Sequence, residues 1–255
     1  MVTSRKFSSD KPHEPTRRAT VAVMPKLIIG NKRYSSWSIR PWFFLKQASV
    51  AFEEIVIPLY QPESASKIKA WIDSARVPLL VLDDGTRVWD SLAIGEAIAE
   101  KWPESGAWPT DFRLRAMARS ACAEMHSGFS EVRRVLTHNV MRRYAPEAWR
   151  KVAASVEVER AVEAEVERLH AVLIALLTAS GGPFLGGARF GYVDAFFVPI
   201  VSRFATYAIS SPDSVAAYCA RIEALPTYAD WRNEAAAEPW RIAHYEYAIA
   251  DRDTV

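Results

Sequence analysis

The fold is decided by residues 26–57, which read KLIIGNKRYSSWSIRPWFFLKQASVAFEEIVI. The apolar run Leu27–Ile29 predicts a first strand, and the serines that follow it are residues that commonly cap a helix. Apolar residues continue that helix to about Ala48, and the β-branched and aromatic content of Phe52–Ile57 predicts a second strand. The order strand, helix, strand therefore predicts a parallel pair of strands joined by a right-handed crossover.

The segments that follow complete a small α/β unit. A short helix is predicted over Ala65–Ile72 and a third strand over Val77–Leu82. An Asp-Gly step then predicts a hairpin turn, Arg87–Trp89 returns as a fourth strand, and a helix runs from Ser91 to Lys101. This is the element order of a thioredoxin-like sheet. It predicts an α/β thioredoxin-like N-terminal domain over residues 25–102.

The pattern changes to helices alone in the second half of the chain. Two prolines and a glycine within residues 102–109 predict an interdomain linker. Apolar residues then recur at helical spacing, namely Val158, Val162, Val166, Leu169, Leu173 and Leu176. Residues 194–207 are apolar on nearly every face, which indicates a helix buried within a bundle. We therefore expect an all-α C-terminal helical bundle over residues 110–245.

Composition excludes several classes of protein. The net charge is +2 without a dense basic stripe, so nucleic acid is not an expected partner. Cys122 and Cys219 match no metal-ligand spacing, which predicts no metal and favours a reducing cytoplasm. No apolar run approaches the roughly 20 residues that span a bilayer, so no membrane association is expected.

The N-terminal stretch differs from the rest of the chain. It is rich in Ser, Thr, Pro and Arg and lacks the apolar core of a secretory signal. We predict a disordered N-terminal extension over residues 1–24. Met24 stands directly before the first strand, so either Met1 or Met24 is the true start.

The first feature with chemical potential is the serine cluster Ser35, Ser36 and Ser38. A helix N-terminus attracts anions, because its free N–H groups carry partial positive charge. A hydroxyl at this place can donate a hydrogen bond to a thiolate, and about 1.5–3 kcal/mol lowers a thiol pKa by one to two units. The competing interpretation is a plain N-cap, which is the commoner role of such a serine.

The second feature is Val77–Pro78 at the start of the third strand. Proline removes a ladder donor and is tolerated at the first residue of a strand. A cis bond here would turn the N–H and C=O of Val77 outward, where an extended peptide can pair with them. Most bonds before proline are trans, so this position alone does not decide the point.

The third feature is Asp90–Ser91 at a strand-to-helix junction. Ser91 lies where a helix N-terminus offers N–H groups to a carboxylate, and Asp90 can accept hydrogen bonds from an ammonium group. Together they suit the zwitterionic head of an α-amino acid. Taken alone, this pair is also explained as a helix cap.

In this order, the three features followed by a helical domain resemble the glutathione transferases over about residues 26–240. The stretch Ser35–Arg40 is similar without gaps to the N-terminal motif of the zeta class, the maleylacetoacetate isomerases. Tau-class enzymes share the spacing from serine to arginine. The zeta motif has a cysteine where this chain has Trp37, which reshapes the acceptor pocket.

The resemblance implies roles for individual residues. Ser35 matches the thiol-activating serine, and its neighbour Ser36 is the alternative; Tyr34 ranks below both. Val77 ahead of a cis Pro78 pairs with the cysteinyl backbone of glutathione, and Asp90 and Ser91 hold the γ-glutamyl end. Gly191 and Asp194 match the cap of the buried helix in the second domain, where glycine leaves the capping box incomplete.

Other residues are assigned by position in the expected fold. The predicted substrate pocket consists of Trp37, Met125, His126 and Phe129. The candidates for binding the glycyl carboxylate of glutathione are Lys67, Lys69 and Arg76. The arginines expected on a solvated face or a dimer rim are Arg133, Arg134, Arg142 and Arg143.

The resemblance implies a cytoplasmic homodimeric enzyme of detoxification. It uses glutathione as co-substrate and directs its thiolate at an electrophilic small molecule. Two alternatives stay open. One is a glutathione-dependent cis-trans isomerase, and the other is a non-catalytic interaction protein on the same fold.

Overall fold

The computed structural model describes residues 24–249. The predicted disordered extension, apart from Met24, lies outside the described residues. The N-terminal half contains four strands and three helices in the predicted order. They are β1 (Lys26–Ile29), α1 (Ile39–Gln47), β2 (Glu53–Val56), α2 (Ser64–Lys69), β3 (Leu79–Val81), β4 (Arg87–Val88) and α3 (Ser91–Lys101).

The four strands form one mixed sheet with the order β2-β1-β3-β4. β1 pairs in parallel with β2, with Ile28 opposite Ile55, and antiparallel with β3, with Ile28 opposite Leu79. The predicted parallel pair and hairpin are therefore both present. This sheet confirms the thioredoxin-like fold of the N-terminal half.

Four elements are shorter than predicted, namely β2, α2, β3 and β4, and the reason is visible for two of them. β3 begins at Leu79 rather than Val77, because Pro78 has no N–H to donate to the ladder. α2 begins at Ser64 and ends at Lys69, so Ile72 lies beyond the helix although it is buried beneath the sheet. The apolar spacing beyond the end of α2 therefore indicated a buried side chain and not a longer helix.

The C-terminal half is helical, as predicted. Its helices are α4 (Phe112–Ser127), α5 (Ser130–Val135), α6 (Val156–Ser180), α7 (Tyr192–Thr206), α8 (Asp213–Glu223) and α9 (Pro226–Ala237). α7 is buried along almost its whole length, which confirms its predicted place inside the bundle. It packs against α1 of the N-terminal half, where the rings of Phe44 and Tyr192 meet edge to face at 5.4 Å. The two halves thus share one core. No helix within residues 24–249 is both long and apolar enough to cross a membrane.

The segment after α9 returns to the loop between β1 and α1. The carboxylate of Glu238 accepts hydrogen bonds from the backbone N–H groups of Lys32 (2.6 Å) and Arg33 (3.1 Å). Glu246 accepts a hydrogen bond of 2.6 Å from the Tyr34 hydroxyl, and the rings of Tyr34 and Tyr245 stack. The conformation of this loop therefore depends on residues about 200 positions later.

Gly95 of α3 allows close contact between the two halves. A Cβ atom at this position would lie 2.3–2.8 Å from atoms of the Tyr192 ring. Tyr192 also donates a hydrogen bond from its hydroxyl to the carbonyl of Ser91. Glycine is required here because the aromatic ring occupies the space of its missing side chain.

We expect Gly95→Ala to lower the free energy of unfolding by about 2 kcal/mol. Overpacking against a buried ring and loss of the Tyr192 hydrogen bond outweigh the gain of about 1 kcal/mol in helix propensity. Urea unfolding measures the change. The matched control is Gly186→Ala, whose added Cβ has no atom nearer than 3.5 Å. Equal stability of both variants with the parent would contradict the close contact.

Candidate functional site

Two cavities meet beside the first turn of α1. The first cavity, of about 710 Å³, is lined by residues that include Arg76, Val77, Pro78, Asp90 and His126. The second cavity, of about 280 Å³, is lined by residues that include Ser35, Ser36, Arg133, Arg203 and Tyr245. Trp37, Leu59 and Val77 border both cavities. The predicted serines and the predicted Asp90 therefore lie on opposite sides of Val77.

Val77 is positioned to pair with a ligand. The bond between Val77 and Pro78 is cis, as the sequence predicts. Within the described part of the chain, neither the N–H nor the C=O of Val77 has a hydrogen-bond partner. These groups border a cavity, so an extended peptide has a donor and an acceptor to meet here.

The serine cluster forms its own hydrogen-bond network. Ser38 precedes α1 but its side chain does not cap that helix. Instead, the Ser35 hydroxyl accepts from the N–H of Ser38 (3.3 Å) and donates to the Ser38 hydroxyl (2.7 Å), which also accepts from the N–H of Gly30 (3.0 Å). Ser36 lies 3.5 Å from a guanidinium nitrogen of Arg203. Ser35 thus combines a cap bond with a place on the second cavity.

Asp90 and Ser91 have different surroundings. Asp90 caps α3 by accepting from the N–H of Leu92 (2.9 Å), and its other oxygen lies 3.2 Å from Nε2 of His126. Its side chain remains 46% exposed at the first cavity. The Ser91 side chain is fully buried and accepts a hydrogen bond of 3.1 Å from Arg40. The structure therefore brings Asp90 to the cavity and directs the Ser91 hydroxyl into the core.

Trp37 is surrounded by cations. The guanidinium carbons of Arg40 and Arg133 lie 4.4 Å and 4.9 Å from its ring centre, and the His126 ring meets it edge to face. Arg40 is buried, and burial followed by repulsion from Arg133 lowers its pKa to about 9. It is still charged at neutral pH. These contacts hold the indole between the two cavities.

The four residues of the predicted substrate pocket separate into two groups. Trp37 borders both cavities, and His126 lines the first. Met125 and Phe129 instead belong to the hydrophobic core and line neither of the two cavities. Met125 is buried and does not share the face of His126, because adjacent helical positions face about 100° apart. Phe129 lies after the end of α4 and starts α5 with a positive φ of 58°.

Arg133 was expected on a solvated or dimer-rim face but lines the second cavity. Arg203, which was not among the candidate residues, lines it too. Arg134, Arg142 and Arg143 instead form ion pairs with Glu131, Glu246 and Glu223. The sequence did contain one sign of Arg203: it is the single basic residue of α7, which is mostly apolar. A cation is rarely fully buried unless a partner or a ligand meets it.

The remaining candidates differ in position. Arg76 lines the first cavity, whereas Lys67 pairs with Glu63 and Lys69 lines neither cavity. Tyr34 lines the second cavity, but its hydroxyl donates a hydrogen bond to Glu246. Burial raises the pKa of Tyr34 to about 12. It is therefore a poor donor to a thiolate. Among residues 24–249, no group of three or more His, Cys, Asp or Glu side chains is arranged to hold a metal.

Asp194 at the start of α7 is structural. Its two oxygens accept hydrogen bonds of 2.8 Å from the N–H groups of Leu185 and Gly191. Burial raises its pKa to about 6, against the lowering effect of those bonds. Glycine at the N-cap has no side chain to return a bond, so only half of a capping box is formed, as expected.

Asp194→Ala is expected to lower the free energy of unfolding by about 2–5 kcal/mol. Two buried N–H groups lose their acceptor, at about 1–3 kcal/mol each. Thermal and urea unfolding measure the effect, with Asp213→Ala as the control. Asp213 occupies the first turn of α8 but is exposed, so its loss changes stability by less than about 1 kcal/mol. A loss at Asp194 no larger than at Asp213 would refute the buried cap.

Comparison with known proteins agrees with this arrangement. Residues 34–101 match the model of the glutathione S-transferase N-terminal domain. No curated protein matches the chain. The fold is similar to that of a tau-class glutathione S-transferase from mango, Mangifera indica, with 22% sequence identity and a TM-score of 0.63 over 85% of this chain and 97% of that one.

Two further similar structures contain glutathione. One is a sphingomonad glutathione S-transferase complexed with glutathione, with 21% identity and a TM-score of 0.59 over 84% of this chain and 100% of that one. The other is the theta-class enzyme of Xanthomonas axonopodis pv. citri with glutathione bound, with 21% identity and a TM-score of 0.58 over 81% and 96%. These likenesses show that the chain has the fold of the glutathione S-transferases.

Proposed function

We propose that this protein is a glutathione transferase. It binds glutathione in the first cavity, holds the sulfur as a thiolate and directs it at an electrophilic carbon of a small molecule in the second cavity. The observation that carries the proposal is Val77, whose unpaired backbone groups lie where the two cavities meet. A tripeptide paired there extends toward Asp90 on one side and presents its cysteine toward the serines on the other.

The charges of the first cavity match those of glutathione. Asp90 accepts hydrogen bonds from the γ-glutamyl ammonium group, and Arg76 binds the glycyl carboxylate. The N-terminus of α3, directly after Asp90, attracts the γ-glutamyl carboxylate. Ser91 acts through Arg40, since its hydroxyl is bonded there rather than to ligand. Lys67 and Lys69 are the less favoured partners of the glycyl carboxylate because neither lines the cavity.

The serine network provides the hydrogen bond to sulfur. In this structure the Ser35 hydroxyl donates to that of Ser38. Rotation of both hydroxyls about their Cβ–Oγ bonds reverses this bond, so that Ser38 donates to Ser35 and the Ser35 proton is free for the thiolate. The thiol proton leaves to solvent, and the sulfur electron pair forms the new carbon–sulfur bond. The leaving group departs with the electrons of the bond that breaks. In addition reactions, the carbanion takes a proton instead.

Thiolate formation tests the proposal directly. The free thiol has a pKa of about 8.5 and is mostly protonated at neutral pH. If the protein lowers this pKa, glutathione added at neutral pH is expected to develop ultraviolet thiolate absorbance. Ophthalmate, which has a methyl group in place of the thiol, is the control and should bind without that absorbance. Absence of glutathione binding in calorimetry would refute the proposal.

The two alternatives give different results in the same assays. An isomerase of the maleylacetoacetate type converts its substrate without consuming glutathione, because the thiolate adds and is then expelled. An interaction protein on this fold forms no thiolate. The hydroxyl network beside unpaired backbone groups favours the catalytic function, since a pure interaction surface has no need of either. A homodimeric, cytoplasmic enzyme of detoxification completes the proposal, and light scattering tests the dimer.

A further inference from the structure

The second cavity is lined by cations and hydroxyl groups. Arg133 and Arg203 lie on its wall together with the hydroxyl-bearing residues Ser36, Tyr60 and Tyr245. No aspartate or glutamate of residues 24–249 lines it. His138 adds no charge, since burial and repulsion from Arg203 hold its pKa well below the usual range. The cavity therefore carries an uncompensated positive charge.

Arg203 is a buried cation without a carboxylate partner. Its guanidinium donates to the carbonyls of Leu136 (2.7 Å) and Pro199 (3.3 Å), and its remaining nitrogen lies 3.5 Å from the Ser36 hydroxyl. No Asp or Glu of the described chain lies within ion-pair distance. Burial lowers its pKa to about 10, so it stays charged at neutral pH. An unpaired buried charge is unfavourable, and a ligand anion would supply the missing partner.

Arg133 is a second cation that lines this cavity. It donates to the backbone carbonyls of Met125 and His126 and stacks over Trp37. Burial lowers the pKa of Arg133, and the charge of Glu165 opposes that effect. The Glu165 carboxylate itself accepts a hydrogen bond from the N–H of Val132. Within residues 24–249, Arg133 also forms no ion pair. Two guanidinium groups thus face one small volume without an anion.

The first cavity accounts for the charges of glutathione by itself. It has Asp90 for the ammonium group, Arg76 for one carboxylate and the N-terminus of α3 beside Asp90 for the other. The cations of the second cavity lie beyond Val77 and beside the serines, where the proposed function puts the second substrate. The volume of about 280 Å³ is at the lower end of ligand pockets and suits one substituted ring.

We propose that the second cavity selects an electrophile that carries a carboxylate group, which Arg133 and Arg203 bind while the serine-held thiolate attacks the reactive carbon. This inference rests on the proposed transferase function and specifies its substrate class. The carboxylate replaces the missing counter-ion of the two arginines. A neutral apolar electrophile would leave them unpaired and is a poorer substrate.

Two substrates that differ at one substituent, which is a carboxylate in one and its neutral methyl ester in the other, test the proposal. In 4-chloro-3-nitrobenzoate and its methyl ester, the thiolate forms a carbon–sulfur bond and chloride leaves with the electrons of the carbon–chlorine bond. Each enzymatic rate is divided by the uncatalysed rate with glutathione, which removes the electronic difference. We expect the enhancement to be at least about tenfold greater for the acid, as is typical of a hydrogen bond to a charged group.

Variants show which residues cause the preference for the acid. Arg133→Gln is expected to lower the acid-to-ester ratio about tenfold, and Arg133→Lys, which keeps the charge, to restore most of it. The matched control is Arg134→Gln, on the next position of α5, whose guanidinium pairs with Glu131 away from the cavity. It should leave the ratio unchanged. Arg203→Gln provides a second position once its melting temperature shows that it folds.

A binding measurement separates this inference from the proposed function. Without glutathione, 4-nitrobenzoate should bind at least about tenfold more tightly than neutral 4-nitrobenzamide, and Arg133→Gln should abolish the difference. Binding of the benzoate without any binding of glutathione supports the carboxylate site and refutes the transferase. Normal glutathione binding with no preference for the acid overturns the inference alone. It is also overturned if Arg133→Gln weakens glutathione binding and leaves the acid-to-ester ratio unchanged, because the cations then serve glutathione.

Discussion

Replacing Ser35 with alanine is expected to raise the pKa of bound glutathione by about one to two units and to slow conjugation ten- to a hundredfold. Loss of one hydrogen bond to a charged sulfur amounts to about 1.5–3 kcal/mol, which converts to these factors. The pKa is read from thiolate absorbance during a pH titration of the complex. Ser35 also accepts the N–H of Ser38, so the variant should lose about 1 kcal/mol of stability.

Ser36→Ala is the matched control for this result. Its hydroxyl also borders the second cavity, but its one polar neighbour is Arg203, at 3.5 Å. We expect a much smaller shift in the thiol pKa than for Ser35. A shift confined to Ser36→Ala would move the assignment by one residue. If neither variant moves the titration, a backbone N–H holds the sulfur and the serine mechanism fails.

Asp90→Asn is expected to weaken glutathione binding about five- to thirtyfold with little change in the rate from the bound complex. Asparagine keeps the acceptor that caps α3 but removes the negative charge that meets the ammonium group. We expect a loss of about 1–2 kcal/mol, the lower part of the range for charged hydrogen bonds, because the Asp90 side chain is 46% exposed. The γ-glutamyl group is remote from sulfur, so KM rises and kcat does not fall.

A ligand lacking the ammonium group isolates that interaction. Deaminated glutathione should bind the parent protein and Asp90→Asn with equal affinity, since the charge pair is absent from both complexes. Isothermal calorimetry gives both dissociation constants. An equal weakening of glutathione and deaminated glutathione would mean that Asp90 acts on the fold of the cavity and not on the ammonium group.

Much of the fold was predictable because it depends on local signals. The Asp-Gly turn, the strand-helix-strand order and the apolar spacing of α6 each act over a few residues, and all three appear in the structure. The cis bond before Pro78 required the resemblance as well as the residue, because proline alone leaves trans the commoner form. The zeta-like subtype remains a prediction.

The lining of the cavities was harder to predict because it depends on contacts distant in sequence. His126 and Met125 are adjacent in α4, and the packing of α4 against α7 and α6 decides which of them faces Trp37. Arg203 is 167 residues from Ser36, which it meets at the second cavity. Spacing along the chain does not encode such a meeting. A single basic residue in a mostly apolar helix was nevertheless a usable sign.

The bonds from Glu238 and Glu246 to the loop of residues 31–36 have a consequence for the order in which the molecule forms during translation. The serines are synthesised early, but their loop is held by carboxylates made more than 200 residues later. A nascent chain released before residue 238 lacks those acceptors, whatever the state of its sheet. The loop that carries the serines is therefore completed only after Glu246 has left the ribosome. A stop codon or a proteolytic cut directly after α9 removes these acceptors from the loop and leaves Ser35 and Ser36 themselves unchanged.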